Sequence, residues 1–218
     1  VTAIQMVTIN TAECFGLAAE LGSITPSKCA DMVLISDLEK CVVDEVFIDG
    51  ELVAEKGKAL FERGKYSYPE EYRHSVNLDK IDESALKIAA EGTVKAHVIE
   101  VIPAKTSTVD KTVEMTAVNG ELKADPARDI MKACVFERHH RTGNVGKGFI
   151  SGFGIKDGAL AQTVAHDAHN LLVVGTNDSD MAIAVNTLID CGGGLVAVKD
   201  GKILGLLELP VAGLMNDV

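Results

Sequence analysis

Between residues 170 and 210 a single amphipathic helix stands between apolar runs, and that arrangement most narrows what the chain can fold into. Met181, Ala184, Val185, Leu188 and Ile189 recur at three- and four-residue intervals and form one apolar stripe. Asp178 or Ser179 can cap its start, and Gly192 follows its end, where helices favour glycine. "LLVVG" before the helix has the length and composition of a core strand, and the residues after it read as a hairpin. Upstream, from Ile130, the pattern is strand, glycine-rich loop, strand and polar turn. Strands mixed with isolated helices predict an α+β or mixed α/β domain.

The rest of the chain is less regular. "VTAIQMVTINTAECFGL" places Ile4, Val7 and Ile9 at helical spacing with Gly16 as a stop. Pro26 and Ser27 mark a turn before a short buried strand, Met32 to Ile35. "VVDEVFIDGELVAEKG" alternates around Asp49-Gly50, the signature of a type I′ hairpin. These sixty residues hold one helix and three or four strands, too little to close a core alone. Residues 62–80 are charged, aperiodic and contain all three tyrosines, which predicts a connecting segment and a domain boundary. "DESALKIAAEG" then predicts a short helix capped by Asp82 or Ser84 and stopped at Gly92. Two alternating strands follow, the second turning at Asn119-Gly120; His97, in the first, reads as a sheet residue rather than a ligand.

Composition excludes several function classes. Trp is absent and aromatics are 4% of the residues, so the core must be aliphatic. A net charge of −11, with no basic cluster longer than Arg138 to Arg141, would repel phosphate backbones, so no nucleic-acid partner is expected. The longest apolar stretch, Met181 to Val198, is broken by Asn186, Asp190 and three glycines, so no membrane span is expected. No basic-then-apolar leader is visible, and five scattered cysteines form no C-x-x-C pair. These features predict a reducing cytoplasm. The chain opens at Val1 directly in a helical pattern, as a fragment would.

Three constellations could carry chemistry. Thr142 to Gly148 superficially looks like a phosphate loop, but it has two residues instead of four before Gly-Lys and lacks the following Ser or Thr; a flexible loop is the better reading. Glu137-Arg138-His139-His140-Arg141 ends an apolar strand beside glycines, either at a cleft mouth or as a solvated strand end. His166, Asp167, His169 and Asn170 interrupt sheet core within five residues. Their spacing could bring two imidazoles to a metal, yet no second cluster supplies the remaining ligands. Four polar side chains between buried strands are costly unless networked or opened to a cavity. They form either a hydrogen-bonded structural corner or the lining of a pocket or subunit cleft.

Two blocks carry a family resemblance. "AIQMVTINTAECFGL" followed by "GSITPSKCADMVLI" resembles the end of the catalytic barrel and the return to a β-sandwich in the amidohydrolase superfamily. Ala3, Thr8, Asn10, Ala12, Gly16, Leu17, Gly22, Ile24, Ala30 and Asp31 fit the pattern, while Thr11 and Ser27 replace the usual Pro and Gly. The block from Val135 to Met215 looks like the C-terminal domain of bacterial and archaeal adenine deaminases, with Ala168 where the family has serine. The resemblance is weakest between Leu60 and Asp129.

The resemblance implies a division into the end of the barrel (1–20), β-sandwich strands (21–61), the connecting segment (62–80) and a mixed α/β C-terminal domain (81–218). It implies a metal-dependent enzyme of purine salvage, with Mn, Fe or Zn as the divalent ion. Metal-bound hydroxide would attack C6 of adenine, releasing ammonia and hypoxanthine. The family's metal ligands lie upstream of Val1, so none is expected in this chain, which alone should be inactive. The expected partners are adenine, the missing barrel of the same protein and further copies in a homo-oligomer. His166, Asp167, His169 and Asn170, with Glu137, Arg138 and His139, are candidates for a cover over the active site; no catalytic residue is assigned. The alternatives are another amidohydrolase acting on a cyclic amide or amidine, or a non-catalytic assembly or nucleobase-binding domain.

Overall fold

The structure, a computed structural model, describes residues 1–62, 64 and 66–216. The chain divides into two compact units, residues 1–65 and 66–218. In the first, α1 (Thr2–Met6) and α2 (Ile9–Cys14) lead into an antiparallel sheet. Its strands β1 (Met32–Asp37), β2 (Val42–Ile48), β3 (Glu51–Glu55) and β4 (Lys58–Ala59) are hydrogen-bonded in chain order. The expected single N-terminal helix is two. Val7, Thr8 and Ile9 are consecutive β-branched residues, and the Thr8 and Thr11 hydroxyls donate to the carbonyls of Ile4 (2.6 Å) and Met6 (2.5 Å). Such back-bonding competes with the helical ladder and bends or breaks it.

Several residues of the first block have local structural reasons. Asp49 and Gly50 both take positive φ (51° and 81°), as a type I′ turn requires. Asp31 and Ala30 hold that turn, since the Asp31 carboxylate accepts from Asp49 N at 2.9 Å and the Ala30 carbonyl from Gly50 N at 3.1 Å. Gly22 lies so close to α2 that a Cβ there would fall 2.7 Å from the Ala12 Cβ. Ala12 is the one buried residue among those described in this unit. The strand expected to be buried, Met32 to Ile35, is accordingly exposed to half exposed: helices of five and six residues cannot close over a four-stranded sheet.

The second unit is built on one large sheet. Its elements are β5 (Thr93–Val101), β6 (Thr108–Thr116), β7 (Met131–Phe136), β8 (Val145–Ser151), β9 (Ala159–Ala165), β10 (Asn170–Gly175), α3 (Asp178–Cys191), β11 (Gly194–Lys199) and β12 (Lys202–Glu208). The eight strands run in the order β12-β11-β9-β10-β7-β8-β5-β6, antiparallel throughout except between β5 and β8. With 39% strand against 16% helix, the chain is α+β. Half of the expected glycine-rich loop is β8: Val145 to Gly148 pair with Phe136 to Ala133. Glycine weakens a strand, and here β7 supplies the ladder along Gly146 and Gly148 while β5 joins only from Phe149 onward.

The stripe of α3 packs on β9, β10 and β11. Met181, Ala184, Val185 and Leu188 are fully buried against Ala161, Val173 and Val196, with Leu86 completing the cluster. Each of the Met, Val and Leu side chains contributes about 1.5–3 kcal/mol on burial, and each alanine methyl less than about 1 kcal/mol. Asn177 rather than Asp178 or Ser179 caps the helix, its Oδ1 accepting from Asp180 N at 2.8 Å; Gly192 ends it in the left-handed region. The helix expected over residues 82–92 shrinks to a 3₁₀ turn, Glu83–Leu86, capped by Asp82. Beyond it, Leu122 N donates to the Ile88 carbonyl (2.9 Å) and Ala90 N to the Gly120 carbonyl (3.2 Å), so pairing with the 119–122 turn replaces further helix. A second apolar cluster, Val98, Met115, Leu122, Ile130 and Phe149, lies at the other end of the sheet.

Candidate functional site

The two polar constellations of the C-terminal unit meet at one end of the sheet. β10 pairs antiparallel with β7 so that Leu171 faces Phe136. That register brings residues 137–139, which leave β7, beside residues 166–170, which enter β10. Arg138 is at the centre of the junction and is 1% exposed. Its Nε donates to the His169 carbonyl (2.5 Å), Nη1 to the carbonyl and hydroxyl of Ser75 (both 3.0 Å), and Nη2 to the Ala212 carbonyl (3.0 Å). Its backbone N–H donates to Asn170 Oδ1 at 3.4 Å. Among the described residues no carboxylate pairs with the guanidinium, and burial lowers its pKa from the ordinary value. Its charge rests on carbonyl dipoles from three separate segments, in charge-assisted bonds stronger than neutral ones. Gly213 covers its face: a Cβ there would sit 2.9 Å from Nη1.

Glu137 organises the adjoining loop. Its Oε1 accepts from His139 N (2.6 Å) and His140 N (2.9 Å), and its Oε2 from Thr142 N (3.2 Å) and the Thr142 hydroxyl (2.9 Å). Burial would raise this carboxyl's pKa, but the amides of His140, Thr142 and His139 and the Thr142 hydroxyl outweigh it and hold it at about 2. The loop is thus an anion nest filled by its own side chain. Arg141 forms an ion pair with Asp79, fastening the loop to the segment before the sheet.

The remaining candidates differ in freedom. His139 Nε2 lies 2.9 Å from the Ala168 carbonyl, tying the loop to the turn. His169 Nδ1 lies 3.2 Å from the Val164 carbonyl. His166 and Asp167 are exposed and pair only with each other among the described residues, and the His166 ring stands edge-on to His169 at 5.5 Å. Of the seven candidates, Glu137, Arg138 and Asn170 therefore hold backbone in place. His139, His140 and the His166–Asp167 pair are exposed. Among the described residues no three His, Cys, Asp or Glu side chains converge as the ligand set of a metal ion. No helix of the described residues is long and apolar enough to cross a membrane.

A second polar cluster had escaped sequence reasoning. Lys132, 1% exposed, pairs with Asp178 at 2.5 Å, and Lys123 pairs with Asp178 at 3.1 Å and with Glu121. Lys132, Lys123 and Asp178 line a cleft of about 410 Å³ at the start of α3, together with Glu83, Thr176 and Asn177. A lysine inside "IMKACVF" was the signal for it. Its charges are already satisfied within the chain, which makes it a brace between α3 and β7. Asp180 works similarly, accepting from Gly201 N (2.8 Å) and Asp200 N (3.2 Å) to pin the β11–β12 turn to the helix.

A family model described as the adenine deaminase C-terminal domain matches residues 105–218, and one described as the amidohydrolase family matches residues 1–53. An adenine deaminase of Clostridium botulinum (strain Loch Maree / Type A3) is 56% identical over 99% of this chain, which covers 37% of that protein. An adenine deaminase of Moorella thermoacetica is 48% identical over the whole chain, again covering 37% of its length. Adenine deaminase 1 of Carboxydothermus hydrogenoformans is 46% identical, with 36% covered. The chain thus spans little more than a third of the length of these relatives, and it belongs to the adenine deaminase family.

Proposed function

We propose that the full-length protein containing this chain hydrolyses adenine to hypoxanthine and ammonia in purine salvage, and that this chain alone is inactive. The reaction consumes one water, whose oxygen replaces the exocyclic amino group at C6. The observation that carries the reading is the family match over residues 105–218, with relatives named adenine deaminase across the whole chain. The amidohydrolase match implies a divalent ion, with Mn, Fe or Zn as the candidates.

The part played by this chain is positional. The His166–Asn170 turn and the Glu137–Arg141 loop form one polar patch, held rigid by Arg138 and Glu137, and this patch serves as a cover over the purine site. Exclusion of bulk water and recognition of the purine edge are what such a cover supplies. His166, Asp167 and His139 present the outward groups; His169 and Asn170 shape the turn; Arg138 and Glu137 anchor it. A cytoplasmic location is supported by five free cysteines. A homo-oligomer is the expected assembly.

The test is ammonia release from adenine by the full-length protein reloaded with Mn²⁺, Fe²⁺ or Zn²⁺, with circular dichroism to monitor fold. Turnover that falls at least tenfold in folded His166→Ala or Asp167→Ala supports the cover. Unchanged turnover in both makes the patch purely structural. No adenine turnover with any of the metals overturns the substrate assignment.

A further inference from the structure

Four Asx-Gly dipeptides occur in the chain: Asp49-Gly50, Asn119-Gly120, Asp157-Gly158 and Asp200-Gly201. In each, the glycine amide nitrogen can close a five-membered ring on the preceding side-chain carbonyl carbon, and no Cβ on the glycine shields the attack. Three of the four are protected. Gly50 N donates to the Ala30 carbonyl (3.1 Å), Gly158 N to the Thr176 hydroxyl (3.0 Å) and Gly201 N to the Asp180 carboxylate (2.8 Å). Their partners are also aspartates, whose carboxylates are poor electrophiles near neutrality.

Asn119-Gly120 differs on both counts. Gly120 N donates no hydrogen bond among the described residues; only its carbonyl is used, by Ala90 N at 3.2 Å. The Asn119 carboxamide has no partner there either, and both residues are exposed. They form a two-residue hairpin turn with φ of 54° and 79°, closed by Val118 N to the Glu121 carbonyl (2.8 Å) and Glu121 N to the Val118 carbonyl (3.3 Å). Ring closure follows local opening of this turn, and an exposed turn opens more readily than strand core.

We propose that Asn119 is a site of spontaneous deamidation. The Gly120 nitrogen, having lost its proton to base, forms a bond to Asn119 Cγ; the Cγ–Nδ2 bond breaks, and the amino group takes a proton from solvent and leaves as ammonia. Water then opens the succinimide. Opening at Cγ gives aspartate, and opening at the main-chain carbonyl gives isoaspartate, in which the backbone runs through Cβ and Cγ and is longer by one carbon. Ammonia leaves once per chain, so the event is separate from any turnover of substrate. The longer backbone cannot keep the Val118–Glu121 pair and the Ala90–Gly120 bond together. Those contacts hold Leu122, 5% exposed, in its apolar cluster and lead the chain to Lys123, which pairs with Asp178. Modification thus loosens the pairing of residues 88–90 with the 119–122 turn.

The test is peptide mapping by mass spectrometry of the folded full-length protein, incubated at pH 7 and at pH 8.5. Cleavage after lysine releases residues 112–123, in which Asn119 is the one carboxamide side chain. This peptide is expected to gain about one mass unit at least tenfold faster than peptides carrying Asn77, Asn144 or Asn186. It should split into two isomeric products, faster at the higher pH because the attacking nitrogen must lose its proton. Asn119→Gln should abolish both changes, since glutamine requires a larger ring. In the aged protein the Ala90 and Leu122 amides should exchange hydrogen at least tenfold faster than in fresh protein. A mass gain confined to denaturant overturns the proposal, because the hairpin then protects Asn119. So does a gain no faster than at Asn144, and unchanged hydrogen exchange in the modified protein overturns its structural consequence.

Discussion

Arg138 Nε donates to the His169 carbonyl at 2.5 Å, and through this bond the end of β7 holds the turn that opens β10. The same guanidinium reaches Ser75 and Ala212. Segments 63 residues before and 74 residues after it in the chain are thereby fastened to one side chain. A long cationic side chain is ordinarily found at the surface. Here it serves as an internal fastener because its planar fork presents donors in several directions at once.

Replacement of Arg138 should therefore destabilise the second unit more than a typical substitution. Arg138→Met keeps much of the apolar stem but leaves the carbonyls of His169, Ser75 and Ala212 without their donor. Hydrogen bonds to a charged group contribute about 1.5–3 kcal/mol each, so a total loss of about 3 kcal/mol or more is expected. Arg138→Lys should recover only part of it, since an ammonium lacks the fork. Denaturant unfolding of the two variants against wild type checks the order. Equal stability of Arg138→Lys and wild type would show that charge alone, and not the fork, holds the junction.

Glu137 predicts a pH dependence with a definite sign. Its folded pKa, about 2, lies below the ordinary carboxyl value of 4.5, so its stabilising effect is complete above pH 4.5. The effect is lost progressively as pH falls toward 2. Glu137→Gln cannot reproduce the four-donor nest, so the stability gap between wild type and variant should be constant near neutrality and shrink below pH 4.5. A gap that stays constant down to pH 2.5 would mean the carboxylate is not held in the nest.

The local features were legible from the sequence and the junction was not. α3 is written in its own stripe and its glycine stop, and Asp49-Gly50 specifies its turn without help from distant residues. The clusters at Glu137–Arg141 and His166–Asn170 were both visible, yet their adjacency follows from the Leu171–Phe136 register, a long-range pairing that local periodicity does not encode. The same gap explains β8: Gly146 and Gly148 have poor strand propensity, and pairing with Val135 and Ala133 of β7 overrides it. Residues 82–92 failed in the opposite direction, because pairing with the 119–122 turn claimed backbone groups that a helix would have used.

The brace at the start of α3 should be asymmetric. Lys132 is buried with Asp178 as its partner, whereas Asp178 has both Lys132 and Lys123. Asp178→Ala strands a buried ammonium, which costs about 3–5 kcal/mol when no other partner is at hand. Lys132→Met leaves Asp178 bonded to Lys123 and fills the space with an apolar chain of similar length, so about 1 kcal/mol or less is expected. Thermal or denaturant unfolding of the two variants tests the difference, and a larger loss in Lys132→Met than in Asp178→Ala would reverse the assignment of which partner depends on the other.

Cysteine reactivity offers a probe of the sheet core that needs no substitution. Cys134 sits inside the cluster between α3 and the sheet, and burial pushes its thiol up to about 11, partly offset by Lys132 and Lys147. At pH 8 only about one part in a thousand of such a thiol is thiolate, the reactive form. Cys14, Cys29 and Cys41 are exposed in the first unit, while Cys191 is half buried with its pKa also raised, first by burial. Labelling of this chain with a thiol reagent at pH 8 should thus modify Cys14, Cys29 and Cys41 first, Cys191 later, and Cys134 only when the second unit unfolds. Peptide mapping resolves the order by site. If Cys134 is modified as fast as Cys41 in folded protein, α3 does not seal the sheet as described, and the Arg138 junction would be expected to loosen with it.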